Sequence, residues 1–514
     1  MTPFRICLAF LLAIPASQAQ LTRSDASYAG LSARSRQLPY QQAGGDMKAI
    51  APLMAAAANA ATDPVAAYRG LTHAIVLMSG GTWTPDAELA SGLDFSIHSK
   101  IIGTGEYLES HATFLFDAPA AANSPYRMDL QIDDQTAVEP AIALGDVRGR
   151  RMGETIGVTF DPSKLAGAGS HTLVAALKDG HGTNIHRYYR TFSIVPDLTN
   201  RLAALEKTVE LLPDQRSEAA ISARWIFETL NLAHQTYLST GFQGMSAYLF
   251  TGYRTAGLGA TEIMDYNAAL ERATKLAKEL QAGSDPIKGA TGDIPLAYRS
   301  GFDGKLVSYR IYVPTKYDKA KKYPLIVLLH GAGGDESNFF DGYSGMFPKL
   351  AEERGYILAA VSGRGPFSGY VKANGAEQDV LDVLDLMQKH YSIDPARVYL
   401  CGHSMGAAGT WRIGLEYRDR FAALAPIAGS SVTPALETAL ASGRKIPIAI
   451  VAGAKDSLVP VAGCRAASEK AKSLGYPVQY LEYADGDHLT VVAMGVRGVF
   501  DWFDQHPSRP LLAP

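Results

Sequence analysis

Short runs of alternating apolar and polar residues characterise the chain between residues 71 and 196. Gly, Pro, Asn and Asp separate these runs, and each run is long enough for one β-strand. The runs are Ala112–Phe116, Tyr126–Ile132, Thr155–Phe160, His171–Leu177 and Tyr188–Val195. The last two flank the turn sequence Asp179–Gly182 and are expected to pair as a hairpin. This spacing predicts a β-sandwich of immunoglobulin-like type over residues 71–196.

Apolar residues at helical spacing follow between residues 197 and 290. One series consists of Leu198, Leu202, Leu205 and Val209, and similar series begin at Ile226 and at Tyr266. The sequence therefore predicts a helical segment over residues 197–290. The polar, proline-containing stretch Gln281–Pro286 ends the last helix and marks the boundary of the next domain.

Continuous apolar runs alternate with helical patterns from residue 291 to residue 514. The runs are Leu325–Leu329, Ile357–Val361, Val398–Leu400, Phe421–Ile427, Ile446–Val451 and Val478–Leu481, and Leu306–Val313 precedes them as a further strand. Strands that are apolar throughout are typical of a parallel sheet covered by helices on both faces. The predicted fold class is therefore α/β, with a doubly wound and mostly parallel sheet over residues 291–514.

The amino-terminal residues predict an export signal followed by a tether. Arg5 supplies the positive charge, Cys7–Ile14 form a short apolar core, and Ser17 and Ala19 supply small residues for cleavage. Residues 1–19 are accordingly interpreted as a signal peptide, and the protein is expected to be secreted or periplasmic. Residues 20–70, rich in Ser, Gln and Ala, are expected to form a tether with one weak helix. The apolar core of the signal is too short to span a bilayer, and no later stretch is long enough.

Composition excludes several classes of function for this chain of 514 residues. Its length suggests about three domains. A net charge of −3 gives no field that would favour nucleic acid or an anionic membrane. After signal cleavage only Cys401 and Cys464 remain, and their positions on separate elements favour two inert thiols over a disulfide. No cysteine pair has metal-ligand spacing, and no metal or organic cofactor is predicted.

The segment Gly402-x-Ser404-x-Gly406 links an apolar strand to a helix of small residues. A serine on such a sharp strand-to-helix turn sits in a strained backbone, and small residues two positions away let neighbouring chains pass. The N–H groups at the start of the helix are then available to a developing oxyanion. This pattern predicts a nucleophile elbow with Ser404 as nucleophile and the N–H of Met405 as an oxyanion donor.

A serine nucleophile needs a base, and the base needs a partner that orients it. Asp456 follows the apolar run that ends at Val451, and His488 follows the run that ends at Leu481. The order Ser404, Asp456, His488 is that of the α/β-hydrolase triad. Asp485 and Asp487 are closer to His488 along the chain, but a short loop would have difficulty folding either of them back onto the imidazole. The predicted triad is therefore Ser404, Asp456 and His488.

A second oxyanion donor is expected from the glycine-rich stretch His330–Gly334. It follows the first strongly apolar strand directly, and it is similar to the glycine-rich oxyanion loop of esterases and lipases. Glycines let the backbone approach a substrate closely. The N–H of Gly331 or of Ala332 is therefore predicted to face the N–H of Met405 across the oxyanion.

Residues 291–514 resemble the α/β-hydrolase superfamily, and more narrowly the secreted esterases of the feruloyl esterase and polyhydroxybutyrate depolymerase type. The stretches Tyr323–Gly331 and Glu377–Leu384, together with Asp303-Gly-Lys305, also resemble the catalytic domain of prolyl oligopeptidases. Those peptidases carry a β-propeller ahead of the hydrolase domain, whereas the preceding part of this chain is too short for one and shows no blade repeat. At the elbow, Ala407 stands where the family usually has a glycine.

The resemblance implies a serine esterase that hydrolyses a small or polymer-linked ester through an acyl-enzyme. A serine peptidase uses the same triad, and an inactive scaffold that binds carbohydrate or protein is the non-enzymatic alternative. A structural accessory is the simplest interpretation of the β-sandwich, but it can also bind a polymer such as a polysaccharide, hold the chain in a dimer, or shade an active site. The sequence does not choose among these roles for the sandwich.

Overall fold

The computed structural model describes residues 23–55, 62–122, 125–235, 266–365, 367–430 and 432–507. Within these ranges the chain divides into two compact units. The first contains the described residues up to Ala204 and parts of the helices that follow. The second contains Leu205–Phe227 and the described residues from Glu271 onward. The signal peptide predicted for residues 1–19 lies outside the described residues.

Packed helices open the first unit, in the region where the sequence predicts a tether. They are α1 (Arg23–Gln42), α2 (Met47–Ala55), α3 (Pro64–Met78) and α4 (Pro85–Ser91). Ala29 and Ala33 of α1, Ile50 of α2 and Leu71 of α3 are fully buried in one hydrophobic cluster. The tether interpretation thus differs from the structure, because alanine is the strongest helix former and its small side chain lets helices pack closely. For the same reason the region from residue 71 begins with helix rather than strand.

Two sheets complete the first unit. Their strands are β1 (Leu93–Ile97), β2 (Ile101–Gly103), β3 (Leu108–Phe114), β4 (Pro125–Ile132), β5 (Thr136–Asp146), β6 (Thr155–Phe160), β7 (Gly169–Lys178) and β8 (Asn184–Val195). One sheet has the order β1-β3-β6 and the other the order β2-β8-β7-β4-β5. Phe95 and Phe114 of the first sheet and Met128 and Phe192 of the second share one buried cluster. Two sheets around a common core are thus present, and the immunoglobulin-like type stays a prediction.

The hairpin predicted across Asp179–Gly182 is confirmed. Strands β7 and β8 pair antiparallel, with His171 opposite Phe192 and Leu177 opposite His186. Strands β1, β2 and β5 were not among the predicted runs. In β1 the polar Asp94 is buried as fully as its apolar neighbours, and its carboxylate oxygen lies 3.1 Å from Nη2 of Arg190. Arg190 lies far from Asp94 in the sequence. The local alternation of apolar and polar residues therefore does not show why a buried strand contains an aspartate.

The helical segment predicted over residues 197–290 contains α5 (Leu198–Glu210), α6 (Glu218–Gln235) and α7 (Tyr266–Gln281). The apolar series of α5, from Leu198 to Val209, is buried as its spacing predicts. In α7, Leu270, Ala273 and Ala277 are fully buried. Helical periodicity therefore identified the elements of this segment that the structure describes.

A mixed sheet forms the centre of the second unit. Its strands are β9 (Gly292–Arg299), β10 (Leu306–Val313), β11 (Tyr323–Leu329), β12 (Ile357–Val361), β13 (Ile393–His403), β14 (Ala423–Ile427), β15 (Ile448–Gly453) and β16 (Val478–Tyr483). They lie in the order β16-β15-β14-β13-β11-β12-β10-β9. Strand β10 pairs antiparallel with β9 and β12, and the other pairs are parallel. Strands β12 and β13 lie on opposite sides of β11. The direction in which successive strands are added to the sheet therefore reverses between β12 and β13.

Helices cover both faces of this sheet, as the apolar strands predict. They are α8 (Asn338–Asp341), α9 (Met346–Arg354), α10 (Ala376–His390), α11 (Met405–Glu416), α12 (Pro434–Ala441), α13 (Val461–Ser473) and α14 (Thr490–Gln505). Val327 of β11 belongs to a core shared with α10, α11 and α13. Its neighbours Ile326 and Leu328 belong to a second core shared with α8, α9 and α14. The doubly wound α/β architecture is therefore confirmed.

Cys401 in β13 and Cys464 in α13 are buried free thiols, as predicted. Burial raises the pKa of each thiol, which keeps it protonated and unreactive. Within the described ranges, none of the helices combines the length and the apolar character that a bilayer crossing requires.

Candidate active site

Ser404 stands between the last residue of β13 and the first residue of α11. Its backbone has φ 56° and ψ −113°, a strained conformation for a residue with a side chain. The N–H of Ser404 donates to the carbonyl oxygen of Ile427 on the neighbouring strand at 2.9 Å, which anchors the turn. The elbow conformation predicted from the glycine spacing is therefore present.

The two flanking glycines allow a strand, a helix and a loop to approach one another closely. A Cβ on Gly402 would lie 2.3 Å from the carbonyl oxygen of Gly406. A Cβ on Gly406 would lie 1.9 Å from the carbonyl oxygen of Leu329 and 2.7 Å from that of His330. Side chains cannot occupy these positions unless the backbone moves. Ala407, which stands where the family usually has a glycine, is fully buried.

His488 and Asp456 are brought to Ser404 by two loops that bind each other. The N–H of Ala454 donates to the carbonyl oxygen of Tyr483, and the N–H of Lys455 donates to that of Gly486, both at 2.9 Å. These bonds join the loop after β15 to the loop after β16. Asp456 and His488, which are 32 positions apart in the sequence, are thereby brought into contact.

The three side chains form a continuous chain of hydrogen bonds. The imidazole Nδ1 of His488 lies 2.8 Å from Oδ2 of Asp456, and its Nε2 lies 2.8 Å from Oγ of Ser404. A carboxylate can only accept, so Nδ1 carries the proton and Nε2 is left to accept from the serine hydroxyl. His488 is 6% exposed and Asp456 is 3% exposed. This geometry allows the imidazole to take a proton from Ser404.

Asp456 is oriented by its own loop. Its Oδ1 accepts from the N–H groups of Leu458 at 2.9 Å and Val459 at 2.8 Å, which leaves Oδ2 for the histidine. The two carboxylates closer in sequence to His488 are engaged elsewhere. Asp485 pairs with Lys455 at 2.7 Å, and Asp487 accepts from the N–H of Thr490 at 2.8 Å at the start of α14.

His403 holds the base in place from the other side. Its Nε2 donates to the backbone carbonyl oxygen of His488 at 2.7 Å, so its Nδ1 accepts from the hydroxyl of Tyr343 at 3.0 Å. Burial, reinforced by the nearby His488, lowers the pKa of His403 to about 3 and keeps the ring neutral. The contact of His403 with Tyr343 joins elements sixty residues apart, and no local pattern signals it.

Acid stability offers a test of the neutral state of His403. An unfolded histidine binds a proton below a pH of about 6.5, whereas the folded site excludes it until a much lower pH. The free energy of unfolding should therefore fall as the pH drops below about 6.5. Between pH 6 and pH 4 the wild type should lose about 1 kcal/mol per pH unit more than His403→Gln does.

Urea unfolding at a series of pH values measures this difference. Tyr343→Phe is the matched variant, because it removes one hydrogen bond but keeps the titrating ring, and it should retain the steep slope. Equal slopes for the wild type and His403→Gln would contradict a buried neutral histidine.

The predicted oxyanion donors lie around Ser404. Met405 is the first residue of α11, so its N–H belongs to the helix end whose donors have no partner within the helix. Gly331 is buried against the elbow: a Cβ added to it would lie 3.3 Å from Cβ of Ser404 and 3.0 Å from Nδ1 of His403. Ala332 follows on the exposed part of the same loop. His330 anchors the loop, since its Nε2 lies 2.8 Å from the carbonyl oxygen of Ser362.

Residues 367–370 of the loop after β12 pack beside this site. The N–H of Gly369 lies 3.3 Å from Sδ of Met405, and Nη2 of Arg412 donates to the carbonyl oxygens of Gly369 and Tyr370. The loop forms a wall next to Met405 and Arg412, and both of these residues also line a cavity of about 1480 Å³ that opens beside Ser404.

A serine on a nucleophile elbow, a histidine and an aspartate on loops at the carboxyl ends of parallel strands form the arrangement of α/β hydrolases. Comparison with known families agrees, because residues 326–512 match the alpha/beta hydrolase family. That part of the chain is therefore an alpha/beta hydrolase domain. The resemblance carried by the sequence motifs is confirmed.

Several relatives match part of this chain. A bifunctional acetylxylan esterase/xylanase from Neocallimastix patriciarum is 29% identical over 150 residues, which cover 29% of this chain and 21% of that protein. Feruloyl esterase B from Talaromyces funiculosus is 33% identical over 136 residues, covering 24% of this chain and 37% of the relative. Dipeptidyl-peptidase 5 from Aspergillus fumigatus is 39% identical over 79 residues, covering 15% of this chain and 10% of the relative. The chain thus spans well under half the length of each of these relatives.

Proposed function

We propose that this protein is an exported serine hydrolase that cleaves carboxylic esters. Ser404 attacks the ester carbonyl while His488 takes the hydroxyl proton. The imidazolium then delivers this proton to the leaving alcohol, and the acyl group stays on the serine. A water molecule, deprotonated by His488, attacks the acyl-enzyme and releases the acid. Asp456 holds the imidazole in the required tautomer throughout.

The N–H of Met405 and that of Gly331 or Ala332 stabilise the oxyanion in this proposal. A donor of this kind contributes roughly 10²–10³ in kcat, because it is fixed in place before charge develops. The cycle requires only the side chains named here, two backbone donors and water.

The hydrogen-bonded chain from Asp456 through His488 to Ser404, with 2.8 Å at both contacts, is the observation that carries the proposal. A histidine in a loop and a helix-capping aspartate would each be unremarkable alone. Their joint contact with a serine in a strained backbone is what nucleophilic catalysis requires. The esterase names of two relatives support carboxylic esters as the substrate class.

Export and the role of the amino-terminal sheets belong to the same proposal. The basic and apolar pattern of residues 1–19 supports secretion or a periplasmic location. An immunoglobulin-like sandwich within residues 71–196 would fit contact with a polysaccharide or pairing of two chains. Sedimentation velocity and a polysaccharide pull-down with the mature protein separate these two roles.

A serine peptidase is the second candidate, favoured by the relative named dipeptidyl-peptidase. It uses the same three side chains and differs in the bond cleaved. Esters are preferred here because the cavity wall includes the apolar residues Met405, Leu458 and Val459. Its acidic residues, Glu416 and Asp419, lie close to Lys372 and Arg444. A dipeptide with a free amino terminus would need a charged partner at that position.

Labelling with a fluorophosphonate probe tests the proposal directly. The wild-type protein should be labelled at Ser404, and Ser404→Ala should not be labelled. Rates on aryl esters, hydroxycinnamoyl sugars and aminoacyl amides then separate the two candidates. Faster cleavage of amides than of esters would favour the peptidase, and an unlabelled wild type would reject both.

A further inference from the structure

The cavity beside Ser404 continues as a groove between two helices. The carboxyl ends of β13 and β14 lie side by side, and α11 and α12 follow them. At the near end, Ser404 and Gly429 are in contact, since a Cβ on Gly429 would lie 2.5 Å from the carbonyl oxygen of Ser404. At the far end, Nη2 of Arg418 donates to the carbonyl oxygen of Ala439 at 3.1 Å. Both helices therefore run away from the nucleophile in the same direction.

Residues along the whole length of α11 line this groove. Met405, Ala408, Trp411 and Leu415 follow one another at helical spacing and all belong to its wall. Leu415 lies eleven residues after Ser404, and a rise of about 1.5 Å per residue makes this roughly 16 Å along the axis. A volume of about 1480 Å³ exceeds the roughly 300–1,000 Å³ of usual small-molecule pockets. An acetyl group would fill only a small part of it.

Several polar groups of the groove are bonded to protein partners. The indole Nε1 of Trp411 donates to Oγ of Ser430 at 2.6 Å, and the ring, 4% exposed, belongs to the apolar core beneath the groove. Nε of Arg418 donates to the carbonyl oxygen of Leu415 at 2.7 Å, and its guanidinium also reaches Ser442. Arg418 therefore closes the far end and ties α11 to α12. It is engaged with carbonyl groups and does not present a free charge to a ligand.

The acidic residues at the far end are also close to cations. Glu416 lies 3.9 Å from Nζ of Lys372, and Asp419 lies 3.7 Å from Nε of Arg444. The groove is thus apolar along its floor and balanced in charge at its end. A neutral, apolar and extended group fits this lining better than a charged one.

The position of His488 distinguishes which side of the ester enters the groove. The leaving oxygen must come within hydrogen-bond reach of Nε2 of His488 to receive its proton. His488 is not among the described residues that form the wall of this cavity, whereas Ser404 and Met405 are. The group bonded to Ser404 in the acyl-enzyme is therefore the one that extends along α11.

We infer that the groove between α11 and α12 is an acyl-chain site, and that the preferred substrates are esters with a long, extended, apolar acyl group. This inference rests on the proposed esterase function and specifies its substrate class. Each methylene buried in the groove raises kcat/KM by about two- to fourfold until the chain reaches the closed end. Selectivity should therefore increase with chain length and then level off.

A series of p-nitrophenyl esters with unbranched acyl groups measures this dependence, used below their micelle-forming concentrations. From acetate to octanoate, kcat/KM should rise at least about 50-fold. Ala408→Trp places an indole one turn from Ser404 and should lower the octanoate-to-acetate ratio at least 10-fold. Thr438 lies on the exposed side of α12, further along the groove. Thr438→Trp should lower kcat/KM for the dodecanoate ester relative to the octanoate ester and leave kcat/KM for the shorter esters unchanged.

Ala320→Trp is the matched control, because Ala320 is exposed on the turn before the amino end of β11, whereas Ser404 follows the carboxyl end of the neighbouring strand β13. It should leave the chain-length profile unchanged. Circular dichroism and the fluorophosphonate labelling rate establish that each variant is folded. If Ala408→Trp does not fold, Thr438→Trp carries the test.

Three results would overturn the inference. A wild type that is labelled by the probe but prefers acetate would remove the acyl-chain site and leave the esterase proposal intact. If Ala408→Trp lowered kcat/KM for acetate esters of long alcohols but not for esters of long acyl groups, the groove would be assigned to the leaving group. Absence of labelling and of all ester cleavage would reject the esterase proposal and the acyl site with it.

Discussion

Replacing His488 by alanine is expected to lower kcat for a p-nitrophenyl ester by roughly 10⁶-fold, because Ser404 then loses the base that takes its proton. The 2.8 Å contact between Nε2 of His488 and Oγ of Ser404 is the structural reason. KM should change little, since the imidazole acts in proton transfer rather than in binding the ester. Initial rates at saturating ester, with active-site titration to count folded enzyme, measure the effect.

Asp456→Asn separates orientation from proton transfer. An asparagine amide facing Nδ1 would donate to it and drive the proton to Nε2, so the histidine could no longer accept from Ser404. The expected loss in kcat is roughly 10⁴-fold. Asp485→Asn is the matched control, because Asp485 is exposed, pairs with Lys455 and is close to His488 in the sequence. An equal loss in Asp456→Asn and Asp485→Asn would contradict the assignment of the partner.

Gly406→Ala is expected to damage both stability and activity. The new methyl group would lie 1.9 Å from the carbonyl oxygen of Leu329 and 2.7 Å from that of His330, and both atoms are backbone. Overpacking against atoms that cannot rotate away should lower the free energy of unfolding by about 3 kcal/mol. It should also displace the oxyanion loop, and a shift of about 1 Å there would lower kcat/KM roughly 10²-fold.

Gly409→Ala is the control for this variant, in the same helix and one turn further on. Its methyl group would lie 3.1 Å from Cβ and Cδ2 of Tyr370 and 3.2 Å from Cδ1 of Leu329, so these side-chain atoms need to shift by only a few tenths of an ångström. Urea unfolding and the rate of fluorophosphonate labelling should place Gly409→Ala close to the wild type. If both variants behaved alike, the close approach of α11 to β11 would not be the reason for a glycine at position 406.

The local sequence pattern was most informative where one strand ends and one loop begins. Ser404, Asp456 and His488 each follow an apolar run, and a parallel sheet brings the carboxyl ends of its strands to one edge. Order and strand ends were therefore enough to predict which side chains meet. The pattern was least informative between residues 23 and 91, where alanine-rich helices pack through small side chains that resemble the composition of a linker.

Strand β5 was also missed. β5 (Thr136–Asp146) contains Pro140 and many exposed residues, so it does not form a continuous apolar or regularly alternating run. It is fixed by antiparallel pairing with β4, in which Met128 lies opposite Ile142. Pairing of this kind is a property of two segments together, and neither segment shows it alone.

The sequence by itself determined the fold class of the carboxy-terminal domain, the elbow at Ser404 and the identity of its two partners. These follow from periodicity, glycine spacing and chain order, which are local properties or properties of order along the chain. Only the tertiary structure decided that His403 supports His488, and that α11 and α12 enclose a long apolar groove. Both features depend on side chains that come from distant segments and meet across the sheet, because their contacts form only once the strands have taken their places.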